Sequence, residues 1–124
     1  MSENQDRSRT LIQPYLGKTV EAKLDGSLFD HEPTTFRFSF VDPAELWETL
    51  KEGYEDYLED WDDNELVPVA GVSAVSAPDD QFAWIFLDWR QGQDEPAIVV
   101  TTTDSWSDEQ RTLSNLGKLC LQIV

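Results

Sequence analysis

The stretch QFAWIFLDWR, residues 81–90, leaves few folds open. Phe82, Trp84 and Phe86 fall on one alternation and Ala83, Ile85, Leu87 and Trp89 on the other, so a strand here is apolar on both faces. Such a strand must be covered on both sides and belongs in the interior of a sheet. The loop QGQDEP follows. AIVVTTT (97–103) then returns as a β-branched strand, expected antiparallel to the one before it.

Earlier segments supply further strands. In TTFRFSFV (34–41), Phe36, Phe38 and Phe40 share one face while Arg37 and Ser39 share the other, which predicts one buried face. KTVEAKL (18–24) turns Val20, Ala22 and Leu24 inward, and Asp25-Gly26 supplies a turn signal after it. ELVPVAGVSAV (65–75) is broken by Gly71 and Pro68; because proline cannot donate to a ladder, it is expected to begin at a sheet edge or a bulge.

Two helices are expected. Asp42-Pro43-Ala44-Glu45 is a start signal, with Asp42 as cap, Pro43 at the first helical position and Glu45 at capping-box spacing, and the helix should run from 43 to about 60. Trp47, Leu50, Tyr54, Tyr57 and Trp61 fall on one stripe, which is the expected core side. The second helix is expected in SWSDEQRTLSNLGKLCLQIV. Ser105 and Ser107 can cap it, Leu113, Leu116, Cys120 and Ile123 recur at helical spacing, and Gly117 interrupts or ends it. The class that results is α+β, an antiparallel sheet of about four to five strands packed against two helices. Residues 1–10 read as a disordered, solvated arm and 11–124 as a single domain.

Charge narrows the function. Twenty-five acids against nine bases give −16 at neutral pH, which disfavours direct contact with nucleic acid or an anionic membrane. No apolar run is long enough to span a bilayer, and MSENQDRSRT lacks the apolar region of a signal peptide, so the expected location is the cytoplasm. Cys120 is the single cysteine, which leaves no internal disulfide and no cysteine-based zinc site, and its apolar neighbours mark it as a core residue.

The acids are also placed. Glu45, Glu48, Glu52, Glu55 and Glu59 keep helical spacing on the side away from the aromatic stripe, and Asp56 and Asp60 widen that side. Residues 52–65 hold eight acids. In a helix of about 1.5 Å rise, that is one charge per about 2.5 Å, denser than the one per about 3.4 Å along a DNA strand. Such a face suits a basic, nucleic-acid-binding partner. The candidate partner-binding residues are Glu45, Glu48, Glu52, Glu55, Asp56, Tyr57, Glu59, Asp60, Trp61, Asp62, Asp63 and Glu65, with Tyr57 and Trp61 as aromatic anchors among the acids. Two plain explanations compete: the solvated side of an amphipathic helix, and adaptation to high salt, given four lysines against 25 acids.

Catalytic and metal motifs are missing from the sequence. There is no G-x-S-x-G, phosphate-cradling glycine loop, H-E-x-x-H or paired-cysteine motif. DWDDNE places Asp60, Asp62 and Asn64 like the start of a calcium loop, but Glu65 stands where its turn glycine belongs and Gly71 where its bidentate glutamate belongs. His31, between Asp30 and Glu32, reads as a loop histidine, and Asp88 as a structural acid paired with Arg90 or a neighbouring backbone. Trp106 is a contact residue or a hydrophobic staple. No enzyme, cofactor or metal is expected.

From VPVAGVSAV through FAWIFLDWRQGQDEPAIVVTTTDSW to the closing segment, about half the chain resembles the SUKH superfamily. In such proteins a proline-containing hydrophobic strand precedes a strand like IFLDWR, a short loop and a strand like PAIVV. The superfamily's N-terminal helix with its Leu-Pro and Tyr signature, and the Asn-Gly-Gly turn after it, have no counterpart in LIQPYLGKTVEAKLDGSLF. The resemblance implies an α+β scaffold that in bacteria often serves as an immunity protein, binding and neutralising a secreted toxin, frequently a nuclease. The expected function is therefore that of a non-enzymatic inhibitor of a basic toxin, acting as a monomer or homodimer. The alternative is a DNA mimic of the anti-restriction or anti-CRISPR type, which would use the same face against a nucleic-acid channel.

Overall fold

The computed structural model describes residues 3–24, 34–58, 65–77, 79–90, 96–102, 111–113, 117 and 121–124, with the backbone alone at 24, 54–58, 102 and 111–113. In chain order these form α1 (Glu3–Ile12), a 3-10 turn (Gln13–Tyr15), β1 (Val20–Leu24), β2 (Thr34–Phe40) and α2 (Pro43–Leu58). They are followed by β3 (Leu66–Ala74), β4 (Ala83–Asp88), β5 (Ala97–Thr102), β6 (Arg111–Leu113) and β7 (Gln122–Ile123). The architecture is α+β: two helices with a seven-stranded sheet of order β6-β5-β4-β3-β2-β1-β7, antiparallel at every pairing. β1 to β6 are a meander, each strand beside the next, and β7 returns to the outer side of β1 through Val20 opposite Ile123 and Glu21 opposite Gln122.

The apolar alternations divide into two cores. Phe36, Phe38 and Phe40 of β2 join Val20, Val72, Ile85, Leu87, Ile98 and Val100 in the larger cluster on one sheet face. Trp84 and Phe86 of β4 point the other way, to Leu66, Val99 and the α2 residues Leu46 and Leu50. β4 is thus buried on both faces along its whole length, as its two-sided pattern requires. Each fully buried aromatic or branched side chain here contributes about 1.5–3 kcal/mol relative to exposure. Beyond α2 this second face turns polar, where Glu21, Arg37 and Ser73 stand side by side across β1, β2 and β3.

Of the two settings expected for Pro68, a sheet edge or a bulge, β3 does not have the edge: it is the middle strand of the seven. The bulge reading of Pro68 holds, because the register with β4 shifts between Pro68 and Ala70. Val69 and Ala70, neighbours in the chain, consequently both face the larger cluster. The extra residue lets a central strand carry a proline without a missing donor breaking the ladder.

The expected N-terminal arm is instead helical from Glu3 to Ile12, and Gln5, Ser8 and Ile12 are buried. Glu3 and Asp6 in its first turn and Arg9 in its last complement the helix dipole, and Arg9 donates to Asp6 at 2.8 Å across three residues. Pro14 ends the helix, and Gly17, at φ 72°, supplies the left-handed turn into β1. The second expected helix, near the C-terminal end, is overturned as well. Residues 111–113 pair with β5 and 122–123 with β1, so the helical spacing of Leu113 and Ile123 gives way to ladder hydrogen bonds. Ser105, Trp106, Ser107, Leu116 and Cys120 lie outside the described residues.

Candidate functional site

α2 carries the candidate face. Its start is built as expected: Asp42 accepts from the Ala44 backbone N–H at 3.2 Å, Pro43 occupies the first helical position, and the Leu46 N–H reaches the Asp42 carbonyl at 3.0 Å. The buried row is Pro43, Leu46 and Leu50, set over β3, β4 and β5, and Trp47 is only partly buried at its margin. Of the expected core stripe, Leu50 is buried and Trp47 packs against the same cluster, while Leu46, which the stripe did not include, is buried beside them. The side chains of Tyr54 and Tyr57, and all of Trp61, lie outside the described residues.

Opposite that row, at 100° per residue, stand Glu45, Glu48 and Glu52, all exposed. None of the three has an ion-pair partner among the described residues. Lys51, also exposed, is the only cation of α2. Glu55, Asp56 and Tyr57 continue the helix with their side chains undescribed, whereas Glu59, Asp60, Asp62 and Asp63 follow it in the chain outside the described residues. Glu65 is exposed and close enough to Arg90 to help raise the guanidinium's pKa. Helices favour cations at their C-terminal end. α2 has no basic residue in its last turn, and acids follow it in the chain.

Elsewhere the arginines whose side chains are described are engaged. Asp88, only 7 % exposed, accepts from the Arg90 backbone N–H, Nε and Nη2, each at 2.9 Å. Burial alone would raise the Asp88 carboxyl, but the Arg90 hydrogen bonds outweigh it and hold the pKa below the usual carboxylate range. The expected pairing of Asp88 with Arg90 is thus present. Arg37 reaches Glu21 at 3.3 Å, and Arg9 binds both Asp6 and Asp42. Arg9's hydrogen bonds lower the Asp42 pKa, and Asp42 in turn raises that of Arg9.

Among the described residues no three His, Cys, Asp or Glu side chains gather to hold a metal, and no helix is long and apolar enough to cross a membrane. His31 and the Asp60, Asp62, Asn64 run lie outside the described residues.

Sequence reasoning missed a second constellation, on α1. Ser8 accepts from the indole Nε1 of Trp89 at 2.8 Å, Arg7 lies 4.3 Å over the Trp89 ring, and Arg9 reaches the cap of α2. The available signal was the charge order Glu3, Asp6, Arg7, Arg9, acidic to basic along one short segment. No family model, curated protein or solved structure matches the chain, so the resemblance to the SUKH superfamily rests on the residues that carry it.

Proposed function

We propose that the protein is a non-enzymatic inhibitor that occupies a basic partner through the outer face of α2, in the manner of an immunity protein against a cationic, nucleic-acid-cleaving toxin. The observation that carries this reading is the exposed row of Glu45, Glu48 and Glu52 without an ion-pair partner among the described residues. Like charges three and four residues apart destabilise a helix by roughly 0.2–0.5 kcal/mol per pair, so the arrangement opposes folding and is offset by what it binds. The SUKH-like residues of the second half point the same way. Association driven by such a face is fast and salt-sensitive, and the proposed setting is the cytoplasm.

The test is a pull-down at about 50 mM salt and at several-fold higher salt, with the wild type and with Glu45, Glu48 and Glu52 all changed to Gln. A basic protein retained at low salt by the wild type alone supports the reading. Equal retention by both versions, or by neither, refutes it. Circular dichroism of the variant, which loses like-charge repulsion but also the first-turn acid Glu45, separates a lost face from a lost helix. Release of the captured protein by duplex DNA would show that the face occupies a nucleic-acid channel, the DNA-mimic arrangement.

A further inference from the structure

α1 is held to the molecule mainly by polar contacts. Of its buried side chains, Gln5 and Ser8 are polar and Ile12 alone is aliphatic. Three successive residues do the fastening. Arg7 covers the Trp89 ring, Ser8 takes its N–H, and Arg9 crosses to both carboxylate oxygens of Asp42. Beside this seam lies an open cavity of about 240 Å³ lined by Arg7, Thr10, Leu11 and Trp89, and Leu11 remains 40 % exposed. Packing between α1 and the body is therefore incomplete where β3 and β4 are fully enclosed. Immediately after α1 the chain is anchored again, because Tyr15 stacks on Phe40 with ring centroids 5.0 Å apart.

We propose that α1 is a latch that undocks as a unit, hinging between Ile12 and Tyr15, while the sheet stays folded. One aliphatic side chain, one buried Ser8–Trp89 hydrogen bond and the partly exposed Arg9–Asp42 and Arg7–Trp89 contacts have to offset the ordering entropy of ten residues, whereas the sheet is secured by its whole apolar interior. Release uncovers the indole of Trp89 and the seat of Ile12 at the margin of the larger cluster. It also parts the Asp42 carboxylate from Arg9, leaving its negative charge without that counter-ion at the start of α2. The latch stands on these contacts whether or not the outer face of α2 binds a basic partner.

Hydrogen exchange on the full chain at neutral pH decides the matter, followed by mass spectrometry for α1, β3 and β4 and by NMR for the Trp89 indole proton. In the wild type, α1 amides and the Trp89 indole proton are expected to exchange in step, roughly 100-fold or more ahead of β3 and β4. Arg9→Gln should speed α1 and the indole together by roughly 3- to 10-fold and leave β3 and β4 unchanged. Should Arg9→Gln fail to fold, Ser8→Ala, which removes the indole's acceptor, tests the same prediction. Exchange of α1 together with β3 and β4 in the wild type overturns the latch. So does exchange of α1 amides while the Trp89 indole stays protected, because the helix then frays in place without undocking.

Discussion

Changing Asp42 separates two jobs done by one carboxylate. It caps α2 through the Ala44 N–H at 3.2 Å, and it receives the Arg9 guanidinium on both oxygens. Loss of a cap costs about 1 kcal/mol. The ion pair is partly shielded, with side chains 28 % and 32 % exposed, and its loss costs about 1 kcal/mol more. Asp42→Ala should therefore cost about 2 kcal/mol and Asp42→Asn, which can still cap, about 1 kcal/mol. At about 4 °C per kcal/mol for a chain of this size, melting followed by circular dichroism at pH 7 should fall by about 8 °C and about 4 °C respectively.

The sign of the pH dependence follows from the Arg9 hydrogen bonds, which depress the Asp42 pKa in the folded state. A depressed carboxylate pKa adds stability that is present above the ordinary carboxylate range and lost as pH falls through the folded value. The gap between wild type and Asp42→Asn should thus close in acid. Equal melting of the Ala and Asn variants at pH 7, or a wild-type advantage over Asn that persists below the folded pKa, would refute the division. Adding Arg9→Gln to Asp42→Asn should cost less than Arg9→Gln alone, because the shared interaction is already gone.

Three further substitutions probe the sheet. Thr101 is fully buried and its hydroxyl has no partner among the described residues, so Thr101→Val should raise stability by about 1 kcal/mol in a denaturant titration. Gly71→Ala places its methyl against the side-chain amide of Gln81, at 2.6 Å from its oxygen, but Gln81 is exposed and can turn aside; the change should stay within about 0.5 kcal/mol of neutral, and a larger loss would show that Gln81 is fixed. Phe86→Ala, under α2, should cost about 3–5 kcal/mol, measured the same way.

Strands were legible where burial imposes its own period. Phe36, Phe38 and Phe40 have to share a face, and QFAWIFLDWR has no polar side to turn outward, so β2 and β4 follow from side-chain alternation alone. α2 was legible from its cap and spacing, whereas α1 was hidden because its contacts lie elsewhere in the chain. α1 buries Gln5 and Ser8, the latter against Trp89 some eighty residues away, and no local apolar stripe announces that. The spacing of Leu113, Leu116, Cys120 and Ile123 is helical, yet Arg111–Leu113 and Gln122–Ile123 lie against strands that offer ladder partners. The acidic side of α2 was legible at Glu45, Glu48 and Glu52, since charge and helical spacing place them together without tertiary help.

The return of β7 to β1 sets a schedule for the chain as it is made. The pairings from β1 through β6 join successive strands and can form as each emerges, but the outer edge of β1 at Val20 and Glu21 meets its neighbour only when Gln122 and Ile123 arrive, about a hundred residues later. At roughly 5–20 residues per second, that edge stands open for about 5–20 seconds of synthesis. An unpaired strand edge is where nascent chains join one another. The negative charge that builds towards −16 as the chain lengthens repels its copies over those seconds, so the acidity of the sequence protects the half-made sheet.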